Sequence, residues 1–111
     1  MLARTYRLRK NSDFQRLYKS GKRFASANLA FYFAPSKMEY SQIAFVVSKK
    51  VSKSAVTRNT LRRRVSAIVE QKFVNISHPV KAIILIRKDF SSIKPGDLQK
   101  EVEGLIKGIL V

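Results

Sequence analysis

Basic side chains are concentrated in one stretch of this sequence, KKVSKSAVTRNTLRRR, at residues 49–64. Seven of its sixteen residues are Lys or Arg, and no acidic residue occurs between Glu39 and Glu70. A solvated helix face usually mixes both signs of charge, whereas a block of one sign usually marks an interaction surface. The guanidinium group of Arg also suits bidentate contacts with phosphate. The stretch therefore predicts a surface that binds a polyanion.

No other group of residues forms a recognisable chemical motif. The seven acidic residues are spread along the chain, and the single histidine, His78, precedes Pro79 in a predicted loop. The sequence has no glycine-rich phosphate loop and no nucleophile motif. It has no cysteine, which excludes disulfides and cysteine-based zinc sites. We therefore predict no catalytic residue and no metal ligand in this chain.

Length and composition predict a single folded domain spanning residues 1–111. Hydrophobic residues make up 45% of the chain, which is enough for one core, and the formal net charge is +16. Residues 1–64 hold sixteen of the 23 basic residues and only two acidic ones. The longest apolar run, AIILI, is too short to span a bilayer, and the basic N-terminus lacks the apolar stretch of a secretory signal. We expect a soluble, cytoplasmic protein.

The first half of the sequence predicts a helix followed by two strands. In NSDFQRLYKSG, Asn11 or Ser12 can cap the helix and Gly21 can end it. The segments NLAFYFAP and QIAFVVS alternate with period two, which is typical of strands with one buried face. The short link between them predicts an antiparallel pair. An additional short strand is expected near residues 22–27.

The second half predicts a basic helix, an interior strand and a last helix. In VTRNTLRRRVSAIVEQKF, Leu61, Val65 and Ile68 recur at helical spacing and leave an Arg-rich side exposed. The unbroken apolar run in VKAIILIR is typical of a strand that is buried on both faces. In KPGDLQKEVEGLIKGILV, Gly104 and Gly108 either weaken a helix or mark close packing. The expected class is α+β, with one central sheet packed by helices.

Nucleic acid, and RNA in particular, is the expected polyanion. A basic helix on a membrane needs its apolar face free for lipid, but here that face is needed to cover the strands. The strands also argue against a compact helical DNA reader. Tyr32 stands between Ala30 and Ala34 on the strand face opposite the core, where it could stack an unpaired base. On composition alone, Tyr32 could equally be an ordinary exposed strand residue.

Residues 46–65, VVSKKVSKSAVTRNTLRRRV, resemble the signature of the protein subunit of bacterial ribonuclease P. RLRKNSDFQRLYKSGKRF is similar to the N-terminal helix of that family, LAFYF to its aromatic strand, and AIILIRKDF to the strand after the signature helix. The resemblance covers nearly the whole chain. It implies a protein cofactor of a catalytic RNA that removes the 5′ leader from precursor tRNA, with Mg²⁺ held mainly by the RNA. It also implies a left-handed strand-helix-strand crossover.

The same resemblance implies two groups of site residues. Those expected to bind the catalytic RNA are Lys49, Lys50, Lys53, Arg58, Asn59, Arg62 and Arg63. Those expected to line a cleft for the single-stranded leader are Phe14, Tyr18, Tyr32, Val46, Ser48, Arg87 and Lys88. The expected partners are therefore ribonuclease P RNA and the precursor tRNA leader, with no DNA and no membrane. The chain would be an accessory subunit of an endoribonuclease and not itself catalytic.

Four positions depart from the family pattern. Thr60 stands where the motif has its second Arg, and Ala44 stands where a Gly is usual. Ser66 replaces a common basic residue and is expected on the surface beside the arginines, while Arg64 adds a charge that could compensate. Loss of one phosphate contact predicts weaker RNA binding with a shallower salt dependence.

Two other functions are compatible with parts of the sequence. A ribosome-type RNA-binding module could share the basic helix and the fold, but it would not stimulate leader removal. A metal-dependent nuclease acting alone would need acidic residues that are clustered in space. Cleavage assays distinguish the first alternative, and the positions of the acidic side chains bear on the second.

Overall fold

The computed structural model describes residues 7–73, 79–90 and 92–110 of the chain. His78 and the N-terminal six residues lie outside these ranges. The α+β class, the order of the elements and the additional short strand are confirmed. The elements are α1 (Asn11–Ser20), β1 (Lys22–Ala25), β2 (Leu29–Pro35), β3 (Gln42–Val47), α2 (Ala55–Phe73), β4 (Val80–Ile86) and α3 (Pro95–Leu110).

The strand order in the sheet is β1-β2-β4-β3, so the predicted antiparallel pairing of β2 with β3 is wrong. β4 lies between them, antiparallel to β2 and parallel to β3. The apolar run of β4 explains this order, because Ile83 and Ile84 point to opposite faces and both are fully buried. In the central position, β4 buries apolar side chains on both of its faces. The free energy of this burial outweighs the preference for direct β2–β3 pairing that their short link would give. The β3–α2–β4 connection joins adjacent parallel strands, while its left-handed sense stays a prediction.

The main hydrophobic core lies on the sheet face that α2 and α3 cover. Leu29, Phe31 and Phe33 of β2 point into it, as the alternation predicts. The apolar side of α2 therefore packs inside the protein and is not free for lipid. Other buried contributors are Ile43 and Val47 of β3, Ala82, Ile84 and Ile86 of β4, Leu61, Val65 and Val69 of α2, and Leu98, Val102 and Ile106 of α3.

The opposite face of the sheet is covered in part by α1. Leu17 of α1 packs with Leu8 and Ile83 in a second, smaller cluster. At the start of α1 the predicted cap is wrong: the helix begins at Asn11, and the residue before it, Lys10, makes no side-chain capping hydrogen bond. The first turn is instead fixed by Asp13, which is buried and accepts a hydrogen bond from the Lys81 ammonium at 3.1 Å.

Glycines at two helix positions predict opposite changes in stability on substitution by alanine. A Cβ at Gly21, the residue that ends α1, would lie 2.6 Å from the Leu17 carbonyl oxygen. We expect Gly21→Ala to lower the free energy of unfolding by about 2 kcal/mol, because backbone must move to relieve that overlap. A Cβ at Gly104, in the middle of α3, meets nothing within 4 Å. Gly104→Ala should therefore raise stability by about 0.5–1 kcal/mol through its helix propensity.

Thermal unfolding of both variants measures this difference, and a lower melting temperature for Gly104→Ala would contradict it. Of the two interpretations given for the α3 glycines, a weakened helix applies to one position and close packing to the other. Gly104 faces open space and weakens the helix, whereas a Cβ at Gly108 would lie 2.8 Å from the Phe24 ring of β1, so Gly108 marks close packing.

Candidate nucleic-acid interface

The loop between β3 and α2 is fixed by its own hydrogen bonds and holds its lysines in solvent. The Ser54 hydroxyl caps α2 by accepting a hydrogen bond from the Thr57 N–H at 3.2 Å. The Arg58 guanidinium donates to the Ser52 carbonyl oxygen at 2.8 Å and so ties the loop to the helix. The loop lysines that this arrangement presents are all exposed: Lys49, Lys50 and Lys53.

The first turns of α2 continue this positive surface. Arg62 donates to the Asn59 side-chain oxygen at 2.6 Å, one helical turn away, which orients the guanidinium along the helix. Arg63 is exposed beside them. The structure thus brings together all seven residues of the first predicted group on one loop and one helix, and we call this the basic surface.

Two residues that the sequence analysis expected on this surface have other partners. Ser66 is 1% exposed, and its hydroxyl donates to the Glu70 carboxylate at 3.0 Å, so its predicted surface position is wrong. Arg64 is partly buried and donates to the carbonyl oxygens of Phe90 and Ile93. Because these bonds hold its guanidinium, Arg64 does not compensate for a missing phosphate contact at Thr60.

Four residues of the second predicted group meet on the sheet face beside α1. The rings of Tyr18 and Tyr32 pack edge to face with centroids 4.9 Å apart. Phe14 and Val46 pack against the small cluster beneath them. We call the surface formed by Phe14, Tyr18, Tyr32 and Val46 the aromatic groove. Tyr32 and Val46 are partly buried and Tyr18 is 44% exposed, so ring surface remains accessible.

Arg23 of β1 also belongs to the aromatic groove, although the sequence analysis missed it. Its guanidinium donates to the Tyr32 hydroxyl at 3.1 Å and lies 5.7 Å from the centre of that ring. The pairing of Arg23 with Tyr32 across the β1–β2 ladder places it there. Partial burial raises the pKa of the Tyr18 hydroxyl, and the neighbouring Tyr32 raises it further. Tyr18 is therefore neutral at physiological pH.

The three remaining residues predicted for the groove lie directly after the ends of β3 and β4, which are adjacent in the sheet. Val47 and Ile86 are register partners at the carboxyl ends of these parallel strands. Ser48 follows the first strand, and Arg87 and Lys88 follow the second; all three are exposed. Ser48 is also the first residue of the β3–α2 loop, which carries the lysines of the basic surface. The edge of the sheet where β3 and β4 end therefore joins the aromatic groove to the basic surface.

A further positive region lies at the start of α1. A pocket of about 310 Å³ is lined there by Arg7, Arg9, Lys10, Asp13, Met38, Gln42 and Lys81. Four of these side chains are cationic and one is anionic. Its residues come from the segment before α1, from α1, from the β2–β3 link, and from β3 and β4, which is why the sequence pattern did not indicate it.

Acidic side chains do not gather into a metal site in the part of the chain that the structure describes. Residues 7–73, 79–90 and 92–110 contain no group of three or more His, Asp or Glu side chains placed to hold a metal ion. Within the same ranges, no helix is long and apolar enough to cross a membrane.

Comparisons with known proteins agree on one family. The family model described as Ribonuclease P matches residues 2–110. The ribonuclease P protein component of Clostridioides difficile (strain 630) is 37% identical over 108 residues, which cover 94% of this chain and 91% of that protein. The solved RNase P protein of Staphylococcus aureus has a TM-score of 0.81 at 27% identity, covering 92% of this chain and 93% of that one. That of Thermotoga maritima has a TM-score of 0.80 at 27% identity, with 91% and 94% covered.

Proposed function

The chain belongs to the ribonuclease P protein family, and from this premise we propose that it is the protein subunit of a ribonucleoprotein that removes the 5′ leader from precursor tRNA. The observation that carries the proposal is the family match over residues 2–110. Catalysis belongs to the RNA subunit in this proposal, and the chain acts by binding RNA. Mg²⁺ bound by that RNA supplies the chemistry of cleavage.

The basic surface binds ribonuclease P RNA in this proposal. Its residues carry six positive charges on one loop and the first turns of α2, with no acidic residue between Glu39 and Glu70 to offset them. Contacts between such cations and RNA phosphates release condensed counterions, which makes binding strong and salt-dependent. The fixed loop and the oriented Arg62 reduce the conformational entropy that RNA binding would cost.

The aromatic groove binds the single-stranded leader. Exposed rings on a sheet stack unpaired bases without strong sequence preference, because every base has a π-face. Tyr32 of the sheet and Tyr18 of α1 beside it supply partly accessible rings, and Arg23 supplies a cation over Tyr32. The edge formed by Ser48, Arg87 and Lys88 then continues from the groove to the basic surface, so leader and catalytic RNA would meet the protein on one connected region.

The leader role predicts a difference between two substrates. The assembled ribonucleoprotein should bind precursor tRNA about tenfold more tightly than mature tRNA, since one stacked base contributes about 1–3 kcal/mol. The RNA subunit alone, measured under the same salt and Mg²⁺ conditions, should show no such preference. Equal affinities of the ribonucleoprotein for the two tRNAs would refute a leader-binding groove.

A further inference from the structure

We propose that Arg64 and Glu101 are positioning residues that hold Arg87 where β4 ends, between the aromatic groove and the basic surface, without contacting RNA themselves. The inference rests on the proposed function and names two residues outside the groove and the basic surface on which leader binding depends. Arg64 lies on α2 and bonds the segment after β4, whereas Glu101 lies on α3 and bonds the β1–β2 turn.

Arg64 fastens the segment that follows β4 to the basic helix. Its guanidinium donates to the Phe90 carbonyl oxygen at 3.1 Å and to the Ile93 carbonyl oxygen at 2.8 Å. The same group lies 5.4 Å from the centre of the Phe90 ring, which is fully buried. Both terminal nitrogens are thus engaged with backbone, and a charge-assisted fork of this kind is selective for geometry. Lysine carries three N–H donors on a single nitrogen, so it cannot reproduce the planar fork of two nitrogens.

Glu101 fixes the β1–β2 turn from the other side. Its carboxylate accepts hydrogen bonds from the Asn28 side-chain amide at 2.8 Å, from the Asn28 backbone N–H at 3.1 Å and from the Ser26 hydroxyl. Three donors on one partly buried carboxylate fix the backbone of the turn. The carbonyl groups of Ser26 and Asn28 therefore have defined positions.

Arg87 is held by those two carbonyl groups. Its backbone N–H donates to the Asn28 carbonyl oxygen at 2.7 Å, and one terminal nitrogen of its guanidinium donates to the Ser26 carbonyl oxygen at 2.9 Å. The side chain is nevertheless exposed, and within residues 7–73, 79–90 and 92–110 no hydrogen bond engages its other terminal nitrogen or Nε, which can therefore donate to a phosphate. Arg87 thus presents its charge from a fixed backbone, between the turn held by Glu101 and the Phe90 segment held by Arg64.

Arg64→Lys tests the positioning role, because it keeps the charge and removes the fork. We expect the ribonucleoprotein carrying Arg64→Lys to lose about five- to tenfold in affinity for precursor tRNA, close to the loss for Arg87→Ala. Binding of mature tRNA and the salt dependence of ribonuclease P RNA binding should not change. If Arg64 contacted phosphate directly, the Arg64→Lys variant would retain most of the affinity for precursor tRNA, because lysine keeps the charge. That result would overturn the proposal.

A double variant separates positioning from a general loss of stability. In the Arg87→Ala background, Arg64→Lys should cause little further loss of precursor affinity, since the charge it positions is already gone. Losses that add in full would overturn the proposal. Glu101→Gln serves as a second probe with nearly unchanged shape, and it should lower the preference for precursor over mature tRNA in the same way.

The outcomes also separate this inference from the proposed function. If the unaltered ribonucleoprotein prefers precursor to mature tRNA but Arg87→Ala retains that preference, the positioning inference fails and leader binding stands. If the unaltered ribonucleoprotein shows no preference, the proposed groove function itself fails. An Arg64→Lys variant that only melts at a lower temperature, with its leader preference intact, would show a purely structural role and overturn the inference.

Discussion

Replacing Arg62 and Arg63 together by alanine is expected to weaken binding to ribonuclease P RNA by about 100-fold. Each charge-assisted contact with a phosphate contributes about 1.5 kcal/mol or more, which is roughly tenfold in affinity. The negative slope of log affinity against log salt should become shallower by about 1.5 units, because two fewer phosphates are neutralised. The Mg²⁺ concentration needed for cleavage should rise, since less phosphate repulsion is screened by protein. Filter binding over a salt series measures the first two effects.

The matched control removes two cations from another surface. Lys100 and Lys107 are exposed on α3, and replacing both by alanine changes the net charge by the same amount. We expect this control to change RNA affinity by less than about threefold, because rim and remote charges act mainly through long-range, screened attraction. Equal losses in the two double variants would mean that only total charge matters and would contradict a specific role for α2. Arg58 is a poorer choice, since it also ties the loop to the helix.

Tyr32→Ala is expected to lower the affinity of the ribonucleoprotein for precursor tRNA by about tenfold and to leave mature tRNA binding unchanged. The reason is the loss of one ring for base stacking, which is worth about 1–3 kcal/mol. Tyr32→Phe keeps the ring but loses the hydroxyl that accepts from Arg23, so it should retain most of the affinity. Equilibrium binding of both tRNAs to each assembled variant gives the comparison.

Two results would count against this assignment of Tyr32. One is an equal loss of affinity for precursor and mature tRNA, which would indicate a general defect in assembly. The other is a loss as large for Tyr32→Phe as for Tyr32→Ala, which would place the effect in the hydroxyl group and not in stacking. Because Tyr32 is partly buried against Tyr18, thermal unfolding of each variant checks that the fold is retained.

The elements of this fold follow from local patterns, and so does the basic surface. Period-two alternation identified β2 and β3, and the unbroken run in β4 identified an interior strand. The neighbours of that strand did not follow, because strand order is set by burial of both faces of β4 and not by the length of the link before β3. The family resemblance implied a left-handed strand-helix-strand crossover, which periodicity could not indicate; the parallel pairing of β3 with β4 fits such a crossover, and its left-handed sense stays a prediction.

The errors at individual residues have a common cause. Helical spacing placed Ser66 beside the arginines, but Ser66 is buried on the side of α2 that faces the rest of the fold, where its hydroxyl donates to the partly buried Glu70. Arg64 belongs to a charge run, yet its partners are carbonyl groups more than twenty residues away in sequence. Arg23 was missed because its role depends on the partner it meets across the β1–β2 ladder. The spacing of residues along the sequence does not predict contacts between segments that are distant in sequence.

The measurement that tests the central claim most directly is cleavage of precursor tRNA by bacterial ribonuclease P RNA at low Mg²⁺, with and without this protein. The account predicts that the 5′ leader is removed only when RNA and protein are both present, and that neither cleaves alone under these conditions. Salt-sensitive binding of the RNA without any stimulation of cleavage would contradict it, and would favour an RNA-binding module of the ribosomal type instead.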